Sequence, residues 1–550
     1  MFALIFILTG CNKDAAQYKD EADKEVNGII DRLWQDDFGP KTNYKIADSL
    51  ESSNDSPVEL VIPSGAMSLE DAVYIATNNN RRYQAEKEAI YLKALDLTLA
   101  AHQFAPRYFS ESGAGYAKNI NGEAIDAAGN VGLTRLFASG GYLTTDVAFA
   151  WADILTGDLR SGLSGIFQAA LTKPLLRDSE RKILLENLTQ AQRDTLYQLR
   201  LFGRFRKELT VSVITAYYNT LLSYEMLKNA RQNHDDLKET FELMEKMAKV
   251  GRLEKHELAE AQQDILKARD IFIRQQNLCN QTLDEFKLIL SIPPSTVISL
   301  DTEKLSVIAA KSLPTPAFTE QQAVAAAVNR RLDLLNEADM ISDAERKIKV
   351  AAEAFKARLD LTASTSSVTK RTSASATTNS VGIELDLALD RKAERNQYRK
   401  TLIALDQAKR NYQESCDITA LQVRTAFRKL TESAGVRDVQ LKSLELAADR
   451  FNKTSLLLQY GRSNTRDILD AQKDLFDAKN AAAEALVAFT IANLDFYKDA
   501  GVMEIKEDGM WNAKHLSEKA VAEKSAAKRP RKETASEETI ENWLKKLTTQ

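Results

Sequence analysis

The chain has 550 residues with only 21 glycines and 10 prolines, and its abundance of alanine, leucine, lysine, glutamate, glutamine and arginine suits long helices. A net charge of −4 implies no polyanionic partner and so no nucleic acid, and three cysteines provide no disulfide framework. Mean hydropathy is −0.34 and no internal apolar run reaches about eighteen residues, which excludes a spanning helix but not a β-barrel, whose strands alternate and score weakly.

Residues 1–10 are apolar up to a small-residue pair, and Leu8-Thr9-Gly10-Cys11 resembles the cleavage box of a bacterial lipoprotein signal. That resemblance implies a lipid anchor on Cys11, an anchor rather than a span. No Lys or Arg precedes the run, and a short buried apolar N-terminus is the alternative. Residues 11–66 read as a polar, irregular, extended segment draped on the surface, broken by Pro40, Pro57, Pro63 and Gly65.

Two tandem repeats follow, at 67–313 and 314–503. Ser68-Leu69-Glu70-Asp71 has the look of a capping box and opens a helix to about Phe104, before Pro106. Thr319-Glu320-Gln321-Gln322 opens its counterpart to about Arg358, and Asn80-Arg81-Arg82-Tyr83 is matched to Asn329-Arg330-Arg331-Leu332. Each repeat then has a β insertion. The first, about 107–172, holds ten of the 21 glycines, and Val131 to Ala138, Tyr142 to Trp151 and Ile166 to Thr172 read as strands between glycine turns. The second, about 359–389, alternates at Leu359 to Thr365, passes a Ser/Thr-rich tip at 366–380, and alternates again. There Ile383, Leu385, Leu387 and Leu389 share one face, with Glu384 and Asp386 on the other. This pattern fits a barrel wall between lipid and water, or an amphipathic hairpin on a soluble core.

A very long helix leaves each insertion. Apolar residues recur at steps of three and four from Leu185 to Leu227, and about 75 helical residues would span on the order of 110 Å, more than a compact enzyme needs. The second copy repeats this from about Asp390 to Tyr460. Both helices turn at a glycine, about 251 and about 461. Gly251-Arg252 and Gly461-Arg462 are each followed ten residues on by Ala-Gln, with Glu257 and Glu260 in register with Asp467 and Asp470. The return helices run to Ile292 and Gly501. Residues 504–550 read as a charged, flexible tail.

The expected fold is therefore mainly α with a membrane β-barrel portion: two tandem repeats forming a long α-helical barrel plus β-strands. Each repeat is expected to supply two barrel strands, the longer first insertion adding an extra hairpin outside the barrel or lengthening its loops; four strands per chain cannot close a barrel, and open edges are not tolerated in lipid. Closure in a membrane therefore requires oligomerisation, and three chains would give about twelve strands.

On this layout, on Leu171-Thr172-Lys173-Pro174-Leu175-Leu176 entering the long helix, and on the Tyr460-Gly461 turn followed by Asp467-Ile468-Leu469-Asp470-Ala471, the chain resembles the TolC-like outer-membrane efflux proteins over roughly residues 67–503. The resemblance implies a homotrimeric exit duct of a tripartite efflux or type I secretion system. Such a duct sits in outer-membrane lipid, is fed by a periplasmic adaptor (membrane fusion protein) and an inner-membrane transporter, and uses no cofactor. It implies that Asp467 and Asp470 ring the periplasmic aperture, with Glu257 and Glu260 as first-repeat equivalents. Crowded carboxylates of this kind favour cations. It also makes Gly251, Arg252, Leu253, Gly461, Arg462 and Ser463 the adaptor-docking tips. The family's arginine near the second turn has no aligned match; Ser463 holds its place.

No enzyme is expected. His102, His234, His256 and His515 are scattered without metal-ligand spacing, and Cys279 and Cys416 read as packing residues. A periplasmic coiled-coil scaffold lipoprotein without channel activity is the competing reading.

Overall fold

The computed structural model describes residues 13–35, 38–41, 43–46, 65–119, 122–154, 162–249, 254–301, 319–370, 373–387, 389–460, 462, 464–506 and 510–513. In chain order the first repeat and its leader contain α1 (Ala15–Leu33), β1 (Ala66–Met67), α2 (Leu69–Asn79), α3 (Arg81–His102), β2 (Arg107–Asn119), β3 (Gly122–Leu136), β4 (Tyr142–Ile154), β5 (Gly162–Pro174), α4 (Arg181–Leu184), α5 (Glu186–Lys249), α6 (Lys255–Ile289) and β6 (Ser299–Leu300). The second contains α7 (Glu320–Arg330), α8 (Leu332–Glu353), β7 (Arg358–Lys370), β8 (Ser373–Asp386), α9 (Lys392–Gln459), α10 (Thr465–Asp499), β9 (Met503–Ile505) and β10 (Trp511–Ala513).

The leader is less irregular than its polar composition suggests. The Asp14 carboxylate accepts from the Gln17 amide at 2.8 Å and starts α1. Val26, Ile29 and Ile30 then fall on one buried stripe against α3, where the Tyr91 hydroxyl donates to Asp23 at 2.5 Å. After α1 the chain presses into α5 at Gly203. A Cβ there would stand 3.4 Å from the Phe38 backbone and 3.2 Å from Leu332, so the glycine allows a close approach inside a long helix.

The repeat is one of local hydrogen bonding. The Ser68 amide donates to Asp71 at 3.0 Å and the Thr319 amide to Gln322 at 2.9 Å, closing the two capping boxes. An 11-residue helix follows each, then a break, then a 22-residue helix. The break falls at Asn80 (φ −66°, ψ 120°) and Arg331 (φ −66°, ψ 127°). Asn80 is therefore equivalent to Arg331, two residues beyond the match made on the Asn-Arg-Arg letters. Backbone geometry sets the register, and only Asn80 caps its helix with a side chain, accepting from the Tyr83 amide at 3.1 Å.

The return helices α6 and α10 are both 35 residues long and end alike. The Val502 amide donates to the Tyr497 carbonyl at 3.1 Å around Gly501 (φ +70°), and the Ile292 amide to the Lys287 carbonyl at 2.9 Å around Ser291 (φ +55°). The second end has the glycine this left-handed turn favours and the first does not. Ser291→Gly should therefore stabilise the protein by about 1 kcal/mol, read as a higher melting temperature of the detergent-extracted chain. An unchanged or lower value would mean that Ser291 makes a compensating contact.

Six strands form one antiparallel meander in the order β2-β3-β4-β5-β7-β8. The expected two strands per repeat thus become four in the first repeat and two in the second. Residues 107–119 are rich in Gly, Ala and Ser and give little apolar alternation, yet they pair with β3 along their whole length, from Arg107 opposite Thr134 to Asn119 opposite Gly122. The Ser/Thr-rich stretch 366–380 is not a loop either. β7 runs to Lys370 and β8 restarts at Ser373, with Ser364 and Ser380 hydroxyls 2.6 Å apart and Thr365 donating to Asn379 at 2.7 Å across the pair.

Below the sheet the long helices are 64 and 68 residues, each about 100 Å. The first is shorter than the expected 75 because residues 175–185 turn through the short α4 before α5 begins. Chain order continues past 503: β9 pairs with β10, Met503 and Ile505 are buried, and Trp511 packs on Tyr497 at 5.5 Å. Residues 504–506 and 510–513 thus belong to the fold rather than to the flexible tail expected from residue 504; residues 514–550 lie outside the described residues.

Candidate functional site: a two-faced wall and two helical tips

Directly paired residues in adjacent strands point to the same side of a sheet. Following the registers from Tyr108 gives Leu133, Thr145, Ala169, Thr365 and Asn379 on one face. That face also carries Tyr116 on β2, Ile125 and Val131 on β3, and Val147, Phe149 and Trp151 on β4. It continues through Phe167 and Leu171 on β5, Leu361 on β7, and Val381, Ile383 and Leu385 on β8. Many of these side chains are exposed; Val381 is 79% and Ile383 70% accessible.

The other face carries Arg107, Glu111, Asp126, Asn130, Asp146, Gln168, Arg358, Asp360, Glu384 and Asp386. Glycine makes room on it: a Cβ at Gly115 would lie 2.8 Å from the Asp126 carboxylate. At Gly132 a Cβ would overlap the ring of Phe109, which with Tyr142, Ile166 and Val368 is among the apolar residues on this side. The sheet is apolar on one side and carboxylate-rich on the other, with no run of either that would betray it in a hydropathy profile.

Far from the sheet, the four long helices meet as two hairpins. Leu237 and Met244 of α5, Ala261 and Ala268 of α6, Leu458 of α9, and Ile468 and Leu469 of α10 form one small core that holds the hairpin ends side by side. The Asn464 amide donates to the Asp467 carboxylate at 3.2 Å, and the Glu254 amide donates to Glu257 at 3.2 Å. Asp467 and Glu257 thus have a helix-capping role that the aperture reading overlooked, although Asn-x-x-Asp and Glu-x-x-Glu before an apolar run are visible signals for it. Asp470 is exposed one turn on, beside Asp467, while Glu260 is half-buried. Arg462 is exposed and its amide donates to the Leu457 carbonyl at 2.9 Å. Gly251, Arg252, Leu253, Gly461, Ser463 and Cys11 lie outside the described residues.

A polar seam joins the repeats between these two regions. Arg193, Arg200 and Arg204, seven and four residues apart on α5, meet Asp343, Asp339 and Asp333 of α8. Asp343 is buried. It accepts from Arg346 at 2.7 Å, from the Tyr197 hydroxyl at 2.6 Å and from Gln190 at 3.3 Å, and stands 2.9 Å from Arg193. Burial, then the Asp343 contact, pushes the Tyr197 hydroxyl above its ordinary pKa. Cys279 is buried and its thiol is pushed up by that burial, which suits packing rather than reactivity.

The outer membrane efflux protein family model matches residues 183–290, the two helices α5 and α6 with their tip. No curated protein matches the chain. Among solved structures, the open state of the Neisseria gonorrhoeae MtrE outer membrane channel is 14% identical, covering 84% of this chain and 96% of that one with a TM-score of 0.60. The Campylobacter jejuni CmeC outer membrane channel is 15% identical, covering 88% and 96% with a TM-score of 0.56. The Vibrio cholerae outer membrane protein VceC is 11% identical, covering 79% and 96% with a TM-score of 0.57. At such identities the structural likeness shows the fold alone, one that this chain shares with these outer membrane channels. The chain is thus similar to the outer membrane efflux proteins over α5 and α6, and to outer membrane channels in fold along about four-fifths of its length.

Proposed function

We propose that this chain is one subunit of a homotrimeric exit duct, its sheet forming part of a barrel wall in the outer membrane and its helices part of a periplasmic tube. The observation that carries the reading is the two-faced sheet. Exposed Phe149, Trp151, Phe167, Val381 and Ile383 on one side would be costly in water and favourable in lipid, while the carboxylate side suits a water-filled interior. Among the described residues the edge strands β2 and β8 have no second neighbour, and such edges survive in lipid only by pairing with further copies. Exposed Leu421, Val439, Leu446, Leu266 and Ile273 on α9 and α6 likewise offer apolar surface to neighbouring helices.

Substrate would pass from an inner-membrane transporter through a periplasmic adaptor into the tube without chemistry in the wall. In this reading the turns at 251–253 and 461–463 dock the adaptor, and Cys11 carries a lipid that anchors the N-terminus. Threefold symmetry would bring Asp467 and Asp470 of three copies near one axis, with Glu257 and Glu260 behind them. Like charges so crowded disfavour anions and attract cations.

Single-channel recording of the detergent-extracted protein in a planar bilayer tests this. The parent should give small, cation-selective currents, and the Asp467→Ala/Asp470→Ala variant larger and less selective ones. Insertion with identical currents in both would leave the duct and remove the aspartate aperture. A folded sample that never inserts would favour the coiled-coil scaffold.

A further inference from the structure

The sheet has more strands than the four that the repeat pattern suggests, and the geometry points to all six lying in the membrane wall. Resting on the threefold closure of the proposed duct, we infer a ring of eighteen strands, in which β8 of each copy pairs with β2 of the next copy.

Three observations put the additional hairpin in the wall rather than folded off it. Pairing is continuous: β2 with β3, β3 with β4 and β4 with β5 keep register along their length, and the single register shift in the sheet is between Val368 and Lys370 at the far end of β7. The face pattern is also continuous. Tyr108, Tyr116, Ile125, Val131 and Leu133 continue the apolar side of Val147, Phe149 and Phe167, and Glu111, Asp126 and Asn130 continue the polar side of Asp146 and Gln168. A hairpin standing in water would have no reason to keep an apolar face in that phase.

The third observation is the turn between β3 and β4. The Gly140 amide donates to Phe137 at 2.8 Å and the Phe137 amide to Gly141 at 2.7 Å. Gly140, at φ +84°, lies against Pro174 and the Asp178 carbonyl, at the junction where β5 leads toward α5, and the Lys173 ammonium donates to the Ser139 carbonyl. The turn is thereby held at the helical side of the sheet. All the strands, at 13 to 15 residues, exceed the roughly 9–11 that a tilted strand needs to cross a bilayer.

An even number of strands also closes correctly. β2 leaves α3 and β8 leads to α9, so the two edges run in opposite directions and a head-to-tail ring makes every junction antiparallel. With strands about 4.8 Å apart and tilted about 40°, eighteen strands close at a diameter of about 36 Å, against about 24 Å for twelve. The wall would then be wider than a twelve-strand barrel, and the carboxylates Glu111, Asp126, Asp146, Asp360, Glu384 and Asp386 of each copy would line it, opposed on that face by Arg107 and Arg358.

The test is to image the full chain, extracted in detergent and placed in lipid nanodiscs, by electron cryomicroscopy and count strands in the ring. Eighteen supports the inference. Twelve, or any other number, overturns it while leaving the duct intact, and a chain that remains monomeric in lipid overturns both. Cysteine pairs give an independent reading in a Cys279→Ser/Cys416→Ser background. Glu111→Cys on β2 is combined in turn with Thr378→Cys, Ser380→Cys and Glu384→Cys on β8, and the same β8 series is combined with Asp146→Cys on β4. Oxidised ladders up to the trimer in the β2 series support the eighteen-strand ring. Ladders in the β4 series instead would mean that β2 and β3 lie off the wall, and would overturn it.

Discussion

Replacing Asp343 by alanine is expected to cost about 3–5 kcal/mol, because it leaves charged and polar partners buried without their acceptor. Arg346 would keep Glu186, whose carboxylate is 3.0 Å away, but Arg193 and the Tyr197 hydroxyl would lose the contact that balances their desolvation. Asp343→Asn should cost less than Asp343→Ala, since an amide oxygen can still accept one of these hydrogen bonds but brings no charge to offset two guanidiniums. The seam joins α5 of the first repeat to α8 of the second, so its loss should loosen the base of the sheet as well as the helices. Thermal unfolding of the extracted protein by circular dichroism measures both variants. If Asp343→Ala melts with the parent, solvent or a rearranged Glu186 satisfies the arginines and the seam adds little stability.

Lys87 should behave oppositely: its removal is expected to stabilise. Its side chain is 1% exposed, its ammonium donates to Asn43 at 3.2 Å, and it stands 5.7 Å from the centre of the Tyr83 ring. Burial depresses its pKa from about 10.5 to about 8, against a smaller opposing pull from Glu88. Below pH 8 the folded chain must keep a charge where the charge is disfavoured. Between about 8 and 10.5 the unfolded chain binds more protons than the folded one, so stability rises with pH through this window. Lys87→Met should gain about 1–3 kcal/mol at pH 7, and its advantage over the parent should shrink steadily towards pH 10.5. An advantage that stays constant from pH 7 to 10.5 would show that packing, not proton binding, separates the two proteins.

The likeness of the two repeats makes these effects local. Where both copies use the same backbone device, such as the capping boxes at Ser68 and Thr319 or the turns at Ser291 and Gly501, the side chains doing the work differ. Residue letters alone therefore mismatched Asn80 with Asn329, whereas dihedral angles pair it with Arg331. The carboxylates of the tips show the same ambiguity. Asp467 at the third position of a helix is a capping group in a single chain, and its proposed part at an aperture depends on neighbours that only an assembly supplies.

The sequence by itself determined the paired layout of helices and strands, the long helices, the caps, and the oily-and-acidic alternation of residues 383–386. Each of these rests on interactions within a few residues along the chain, where helical and strand periods are written directly. It did not determine that 107–119 is a strand, because small residues such as Gly113, Ala114 and Gly115 alternate too weakly and take their face from a partner strand. It did not reveal the seam at Asp343 either, whose arginines are about 150 residues away and look like an ordinary solvated helix face until α8 lies against them. Helix α1 was hidden in the same way, by a short apolar stripe that has meaning only once α3 covers it. Local hydrogen bonding is readable in one dimension; strand count, buried charge pairing and the choice between water and lipid are decided by what the fold brings to the other side.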